Sequence, residues 1–187
     1  MNIKALAAVA GISVVIAGVS VYSRRDTTPA PEPTPPAQTV KVSPIPKATP
    51  KRALKPNEHF LSSSGLYVQV PEGLNFRQDP ENERIEGFYI EVGPQDKPTY
   101  QMYGLYQLTK AATEKDLEMA KTEMDPKSIK EVTIAGYKGI EGAVAAPKAR
   151  YLTLIIKDGK LLTFTTNPVT SENKVTTEQI LSTLSFE

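Results

Sequence analysis

The chain has 187 residues, of which 40% are hydrophobic, and it contains 16 prolines, one histidine and no cysteine. The absence of cysteine excludes disulfides, thiolate metal sites and cysteine nucleophiles, and a single histidine excludes any site with two histidine ligands. The net charge of +1 conceals two opposite parts: residues 24–56 hold seven Lys/Arg against two Asp/Glu, and residues 57–187 hold fourteen against nineteen. An acidic folded part is a poor match for phosphate backbones, so we expect no nucleic-acid partner.

An apolar run opens the chain, and eighteen residues from Ala5 to Tyr22 carry no charge. This length lies between the ~20 residues of a membrane-spanning helix and the ~7–15 of the apolar part of a cleaved signal. We predict that residues 1–23 are a retained signal anchor that reaches the membrane through residues 5–22. A cleaved signal peptide is the alternative.

Two signals in the sequence disagree on which side of the membrane the rest of the chain lies. Arg24 and Arg25 follow the run, whereas Lys4 is the only Lys/Arg before it, and this count favours a cytoplasmic domain. A short basic leader before an apolar run is nevertheless the layout of export signals. We therefore predict a membrane-anchored protein with an extracytoplasmic domain, or a secreted or periplasmic one if the signal is cleaved.

Residues 24–56 contain nine of the 16 prolines. Proline fixes φ and removes backbone donors, so this segment is predicted to be a disordered stalk that samples extended polyproline II. A spacer of this kind is most useful when its front end is held, which favours the anchor over the cleaved signal.

Residues 57–187 carry the patterns of a folded domain. The stretch "TYQMYGLYQLT" is apolar on both faces, which predicts a central strand. A helix is predicted to begin near Thr113, with Asp116 completing a capping box. Asp158-Gly159 predicts a type I′ hairpin, and Gly136 and Gly139 are predicted to form the turn between two earlier strands. A last helix is predicted to bury Ile180, Leu181 and Leu184. Strands dominate and the two helices are far apart in sequence, which indicates the α+β class with a mainly antiparallel sheet covered by helices.

Three motifs in this domain, "LYVQVPEGL", "VTIAGYKGIEG" and "ILSTLSFE", together resemble the PsbP-like domain over residues 60–187. The family comprises extrinsic photosystem proteins, a small Ran-binding protein and many exported bacterial proteins. The resemblance implies an α/β/α sandwich and a habit of binding other proteins, and it supplies no active site. No functional residue of the family has a motif here to which it can be transferred.

The residues themselves point to no catalytic centre. His59 stands at the stalk junction, where a solvated role is expected. The acidic loop "DPENERIE" fails the calcium-loop pattern because Arg84 replaces the glycine at its sixth position, so it is interpreted as a solvated loop. Three tyrosines, Tyr100, Tyr103 and Tyr106, lie on both faces of one predicted strand. Burial in the core is the usual role of such residues, and we also consider them a candidate partner surface.

We therefore interpret the chain as a non-catalytic interaction module, tethered to a membrane or exported, that binds a protein or a small ligand through its globular domain. No cofactor, metal site or catalytic residue is predicted. The alternative is a carboxylate-based metal-binding protein or hydrolase of the cell envelope that uses the acidic loop.

Overall fold

The structure is a computed structural model that describes residues 47–80 and 82–187. The predicted anchor over residues 1–23 lies outside the described residues, as does the predicted stalk up to residue 46. Within the described part of the chain, no helix is both long and apolar enough to cross a membrane.

The described residues form ten strands and two helices. In chain order these elements are β1 (Glu58–Leu61), β2 (Leu66–Gln69), β3 (Asn75–Gln78), β4 (Ile85–Val92), β5 (Tyr100–Ala111), α1 (Glu114–Lys121), β6 (Lys130–Ile134), β7 (Tyr137–Val144), β8 (Arg150–Lys157), β9 (Lys160–Asn167), α2 (Ser171–Ser182) and β10 (Ser185–Phe186).

The strands build two antiparallel sheets. The large sheet has seven strands in the order β3-β4-β5-β9-β8-β7-β6, and the small sheet has three in the order β1-β2-β10. Strand β5 pairs with β4 on one edge and with β9 on the other. Its residues alternate between buried and half-buried from Tyr100 to Leu108. The prediction of a central strand in this stretch is confirmed.

The main core lies on one side of the large sheet, which we call the inner face and which carries Met102 and Phe164. The small sheet and α2 pack against this face. This one cluster contains residues of both sheets and of α2. Burial of each large apolar side chain in it contributes roughly 1.5–3 kcal/mol. Its fully buried members are Leu61, Leu66, Val68, Phe88, Ile90, Met102, Ile155, Leu162, Phe164 and Ile180.

The opposite side of the large sheet, the outer face, has a smaller core over β7 and β8. Helix α1 lies against these two strands and packs Leu117 and Ala120 toward Leu152 and Leu154. The helix begins as predicted, because the Asp116 carboxylate accepts a hydrogen bond of 2.9 Å from the backbone N–H of Thr113.

The α/β/α sandwich expected from the sequence is wrong. Strands account for 45% of the described residues and helices for 14%. Helix α1 has only eight residues, which is too short to form a layer over a seven-stranded sheet. Helix α2 shares the inner face with the small sheet, so the main core is built between two sheets rather than between a sheet and a helical layer. The stretch "LYVQ" forms β2 of the small sheet.

Two hairpins of the large sheet turn on two residues with positive φ. Asp158 and Gly159 have φ of 50° and 69°, which confirms the predicted type I′ turn between β8 and β9. Between β6 and β7 the turn residues are Ala135 and Gly136, with φ of 50° and 87°.

The prediction that Gly139 belongs to this turn is wrong. Gly139 lies inside β7 opposite Ile155, where a Cβ atom would be 1.9 Å from the carbonyl oxygen of Leu154.

The close approach at Gly139 gives a stability prediction. Gly139→Ala places its methyl group against backbone that cannot move without breaking the β7–β8 pairing, so we expect a loss of about 3 kcal/mol or more in the free energy of unfolding. Gly136→Asn is the matched control, because asparagine tolerates positive φ and the Cβ position there is open. Urea denaturation of both variants measures the difference. Equal stabilities would contradict the packing argument.

Candidate interaction surface

Three side chains form a ladder on the half of the outer face that lies over β3, β4 and β5. Arg77 is paired with Tyr89 across β3 and β4, and Tyr89 is paired with Tyr103 across β4 and β5. Residues directly opposite each other on antiparallel strands share a face, so the three side chains project together. The Arg77 guanidinium lies 4.0 Å from the centre of the Tyr89 ring, and the rings of Tyr89 and Tyr103 stack with their centres 4.4 Å apart. We call Arg77, Tyr89 and Tyr103 the tyrosine ladder.

Two carboxylates hold the ends of the tyrosine ladder. The Tyr103 hydroxyl donates a hydrogen bond of 3.0 Å to Asp79 Oδ2, and Asp79 Oδ1 lies 3.6 Å from Arg77 Nη1. Glu91 is 4% exposed; its Oε1 lies 3.7 Å from Arg77 Nε, and its Oε2 accepts a hydrogen bond of 3.0 Å from Gln101 Nε2. These contacts restrict the side-chain rotamers before any partner binds.

The three tyrosines singled out in the sequence do not lie together. Tyr100 and Tyr106 are buried on the inner face, with 4% and 6% of their surface exposed. Tyr103 is half-buried on the outer face beside Tyr89. The Tyr100 hydroxyl lies 3.0 Å from Thr177 Oγ1, and that hydroxyl lies 2.8 Å from Thr166 Oγ1. Tyr100 therefore links β5 to α2, and of the three only Tyr103 is placed for a contact with another molecule.

Sequence reasoning missed Tyr89 and Arg77 as neighbours of Tyr103. Alternation within each strand indicates the face of a side chain, but the neighbour across the sheet depends on the register between strands. The turn between β4 and β5 covers seven residues and has no short hairpin signal that would set this register. The signal in the sequence was weaker: residue type marks Arg77 and Tyr89 as candidates for contact with a partner, but it does not give their positions across the sheet.

Burial keeps the two bonded tyrosines protonated. Burial raises the pKa of Tyr100 to about 12, and the hydrogen bond between its hydroxyl and that of Thr177 opposes the shift. Burial, followed by the hydrogen bond to the Asp79 carboxylate, raises the pKa of Tyr103 above its ordinary value. Both hydroxyls therefore stay protonated to a higher pH than an ordinary tyrosine does.

The prediction that the acidic loop is solvated is only partly right. Glu86 is not a solvated loop residue: it lies in β4, is 7% exposed, and accepts hydrogen bonds of 2.9 and 2.8 Å from the backbone N–H groups of Ser63 and Ser64. Asp79 belongs to the tyrosine ladder's hydrogen bonds, Glu83 is exposed, and Glu81 lies outside the described residues.

A cavity of about 390 Å³ lies beside this loop. Asp79, Glu83 and Glu86 contribute carboxylates to its wall, and Ser62, Ser63 and Lys47 line it as well. Across residues 47–80 and 82–187, no three histidine, aspartate or glutamate side chains are arranged as a ligand set for a metal ion.

The sequence suggested that His59 is a solvated boundary residue, and this prediction is wrong. It lies in β1, is half-buried and stacks on Phe76 with ring centres 3.9 Å apart. Burial lowers its pKa below the ordinary histidine value. A neutral, stacked imidazole at the edge of the core has a packing role, and its sequence position next to the stalk gave no indication of this.

Comparisons with known proteins do not assign the chain to a family. No family model matches it, and a search of curated proteins finds no significant match.

The raised pKa of Tyr100 gives a prediction for alkaline pH. Unfolding returns Tyr100 to a pKa near 10, so above that pH the unfolded chain loses a proton that the folded protein keeps, and stability falls as pH rises from about 10 toward about 12. Tyr100→Phe removes this group, so its melting temperature should decline less between pH 9 and pH 11 than that of the wild type. At pH 7 the variant should be less stable by about 1 kcal/mol, because one buried hydrogen bond is lost.

Thermal unfolding followed by circular dichroism measures both effects. Tyr89→Phe is the matched control, because it removes a tyrosine hydroxyl from the half-exposed outer face. Parallel pH profiles for wild type and Tyr100→Phe would contradict the assignment.

Proposed function

We propose that the chain is a non-catalytic interaction module, tethered to a membrane or exported, that binds a protein partner through the tyrosine ladder. The observation that supports it is a pre-formed Arg77–Tyr89–Tyr103 ladder on a half-exposed part of the large sheet. Tyrosine and arginine are enriched among the residues that dominate the energy of protein–protein interfaces.

The rigidity of the ladder favours binding. A partner that docks on freely rotating side chains must order them, at a cost of about 0.5–1.5 kcal/mol for each. Here the Tyr103 hydroxyl is already bonded to Asp79, and Arg77 lies between Tyr89 and two carboxylates. Much of that ordering is complete in the free protein, and the two rings offer wide contact area with few rotatable bonds.

The location and the class of partner are supported by the sequence alone. The apolar run and the proline-rich stalk support a protein held at a membrane on a spacer, with an extracytoplasmic domain as the favoured side. The acidic balance of residues 57–187 argues against a nucleic acid.

Site-specific photocrosslinking in the full-length, membrane-bound protein tests the proposal. p-Benzoylphenylalanine replaces Gln107, which lies on the outer face of β5 four residues, or about 13 Å, from Tyr103. In a second protein it replaces Val175, an exposed residue of α2. We expect a discrete protein adduct from position 107 and none from position 175. Tyr103→Ala should reduce the adduct at position 107 at least tenfold, because truncation of an anchor residue typically costs about 2 kcal/mol or more.

Met119→Ala, which truncates an exposed side chain of α1, is the matched control and should leave the adduct unchanged. Circular dichroism confirms that each variant folds. An adduct at position 107 that survives Tyr103→Ala would overturn the role of the ladder. Crosslinking from position 175 alone would place the partner on the opposite side of the large sheet.

A further inference from the structure

The segment before β1 lies against the domain rather than leaving it at once. The Ala48 N–H donates a hydrogen bond of 2.8 Å to the carbonyl of Ser62. The Lys51 N–H is shared between Glu187 Oε1 at 2.6 Å and the Tyr67 hydroxyl at 3.1 Å. The boundary predicted between residues 56 and 57 therefore falls inside a set of contacts that already includes Ala48 and Lys51.

Glu58 holds this segment from the β1 side. Its carboxylate accepts two hydrogen bonds from the Arg52 guanidinium, at 2.5 and 2.7 Å, and a third of 3.0 Å from the Lys55 N–H. The same guanidinium lies 4.1 Å from the centre of the Tyr67 ring. The hydrogen bonds from Arg52 lower the pKa of Glu58 to about 2, so the carboxylate is charged at every physiological pH.

Glu187 holds the segment from the β10 side. Its backbone N–H donates a hydrogen bond of 3.0 Å to the Gly65 carbonyl, next to the pairing of Phe186 with Leu66. With the backbone fixed in this way, the Glu187 carboxylate accepts from both the Tyr67 hydroxyl, at 2.7 Å, and the Lys51 N–H. Two carboxylates, one in β1 and one directly after β10, thus hold one short segment.

The segment itself is polar and exposed, although the Glu58, Glu187 and Tyr67 side chains that hold it are buried. Residues 51–57 are all exposed, and the only large apolar side chain among them, Leu54, keeps 45% of its surface in solvent. None of these residues belongs to the main core. A segment with few buried apolar contacts can detach at far lower cost than global unfolding, so it can open while the sheets remain intact.

We propose that residues 47–56 form a releasable strap, closed by Glu58 and Glu187, that sets the length of the spacer in front of the domain. When the strap is closed, the spacer ends before Lys47. When it is open, the spacer gains ten residues, which in extended polyproline II conformation adds up to about 30 Å of reach. This device is independent of the tyrosine ladder, which lies on the large sheet.

Proteolysis of the full-length protein tests the strap. Trypsin can cleave after Lys51 and Arg52, and neither site is altered in Glu58→Ala or Glu187→Ala. We expect both variants to be cleaved there at least about tenfold faster than the wild type, because each removes one side of the grip. Cleavage after Lys127, in an exposed turn far along the chain, should be unchanged and reports that the domain remains folded. Glu72→Ala, at an exposed glutamate of the turn after β2, is the matched control.

A spin label gives a second measurement that does not depend on a protease. The chain contains no cysteine, so Thr49→Cys provides a single labelling site within the strap. We expect an immobilised spectrum in the wild-type background, a mobile one in Glu58→Ala and Glu187→Ala, and partial immobilisation in Glu187→Gln, which keeps an acceptor oxygen. A mobile spectrum in the wild type, or wild-type cleavage as fast as in the variants, would overturn the proposal. Faster cleavage after Lys127 in Glu58→Ala would show that this variant loses its fold. Cleavage and label mobility in Glu187→Ala would then support or overturn the strap.

Discussion

The pairing of β5 with both β4 and β9 is the constraint on which most of the molecule depends. Twelve residues of β5 lie between the two halves of the large sheet, and their alternation assigns Tyr100, Met102 and Tyr106 to one side and Tyr103 to the other. A shift of one residue in this register would exchange the two faces, moving the core residues into solvent. The same register that builds the core therefore also builds the tyrosine ladder.

The two faces of the large sheet are covered by different means. The inner face is closed by a second sheet and α2, while the outer face has α1 only over β7 and β8. Over β3, β4 and β5, side chains that stack across the strands take the place of a helix. The Arg77 guanidinium and the neutral Tyr103 hydroxyl lie against Asp79, and Arg77 also lies against Glu91. This part of the outer face therefore presents aromatic rings to solvent, and the polar groups at its edges keep it hydrated.

Local signals in the sequence predicted local structure well and long-range structure poorly. The Asp158-Gly159 turn, the start of α1 and the buried residues of α2 each depend on a few neighbouring residues, and these predictions are confirmed. The small sheet depends on Leu66 pairing with Phe186, which lies near the other end of the domain, so no local pattern announces it. For the same reason the candidate surface was found only in part: alternation gave the face of Tyr103, but only the strand register supplies Tyr89 and Arg77.

The row of hydroxyls formed by Tyr100, Thr177 and Thr166 joins three elements that are distant in sequence. Detachment of α2 would break both of these hydrogen bonds, each of which contributes about 0.5–1.5 kcal/mol to stability. The helix is therefore coupled to the middle of the sheet by polar as well as apolar contacts. We therefore expect the amide protons of α2, β5 and β9 to exchange slowly and together, as one cooperative unit.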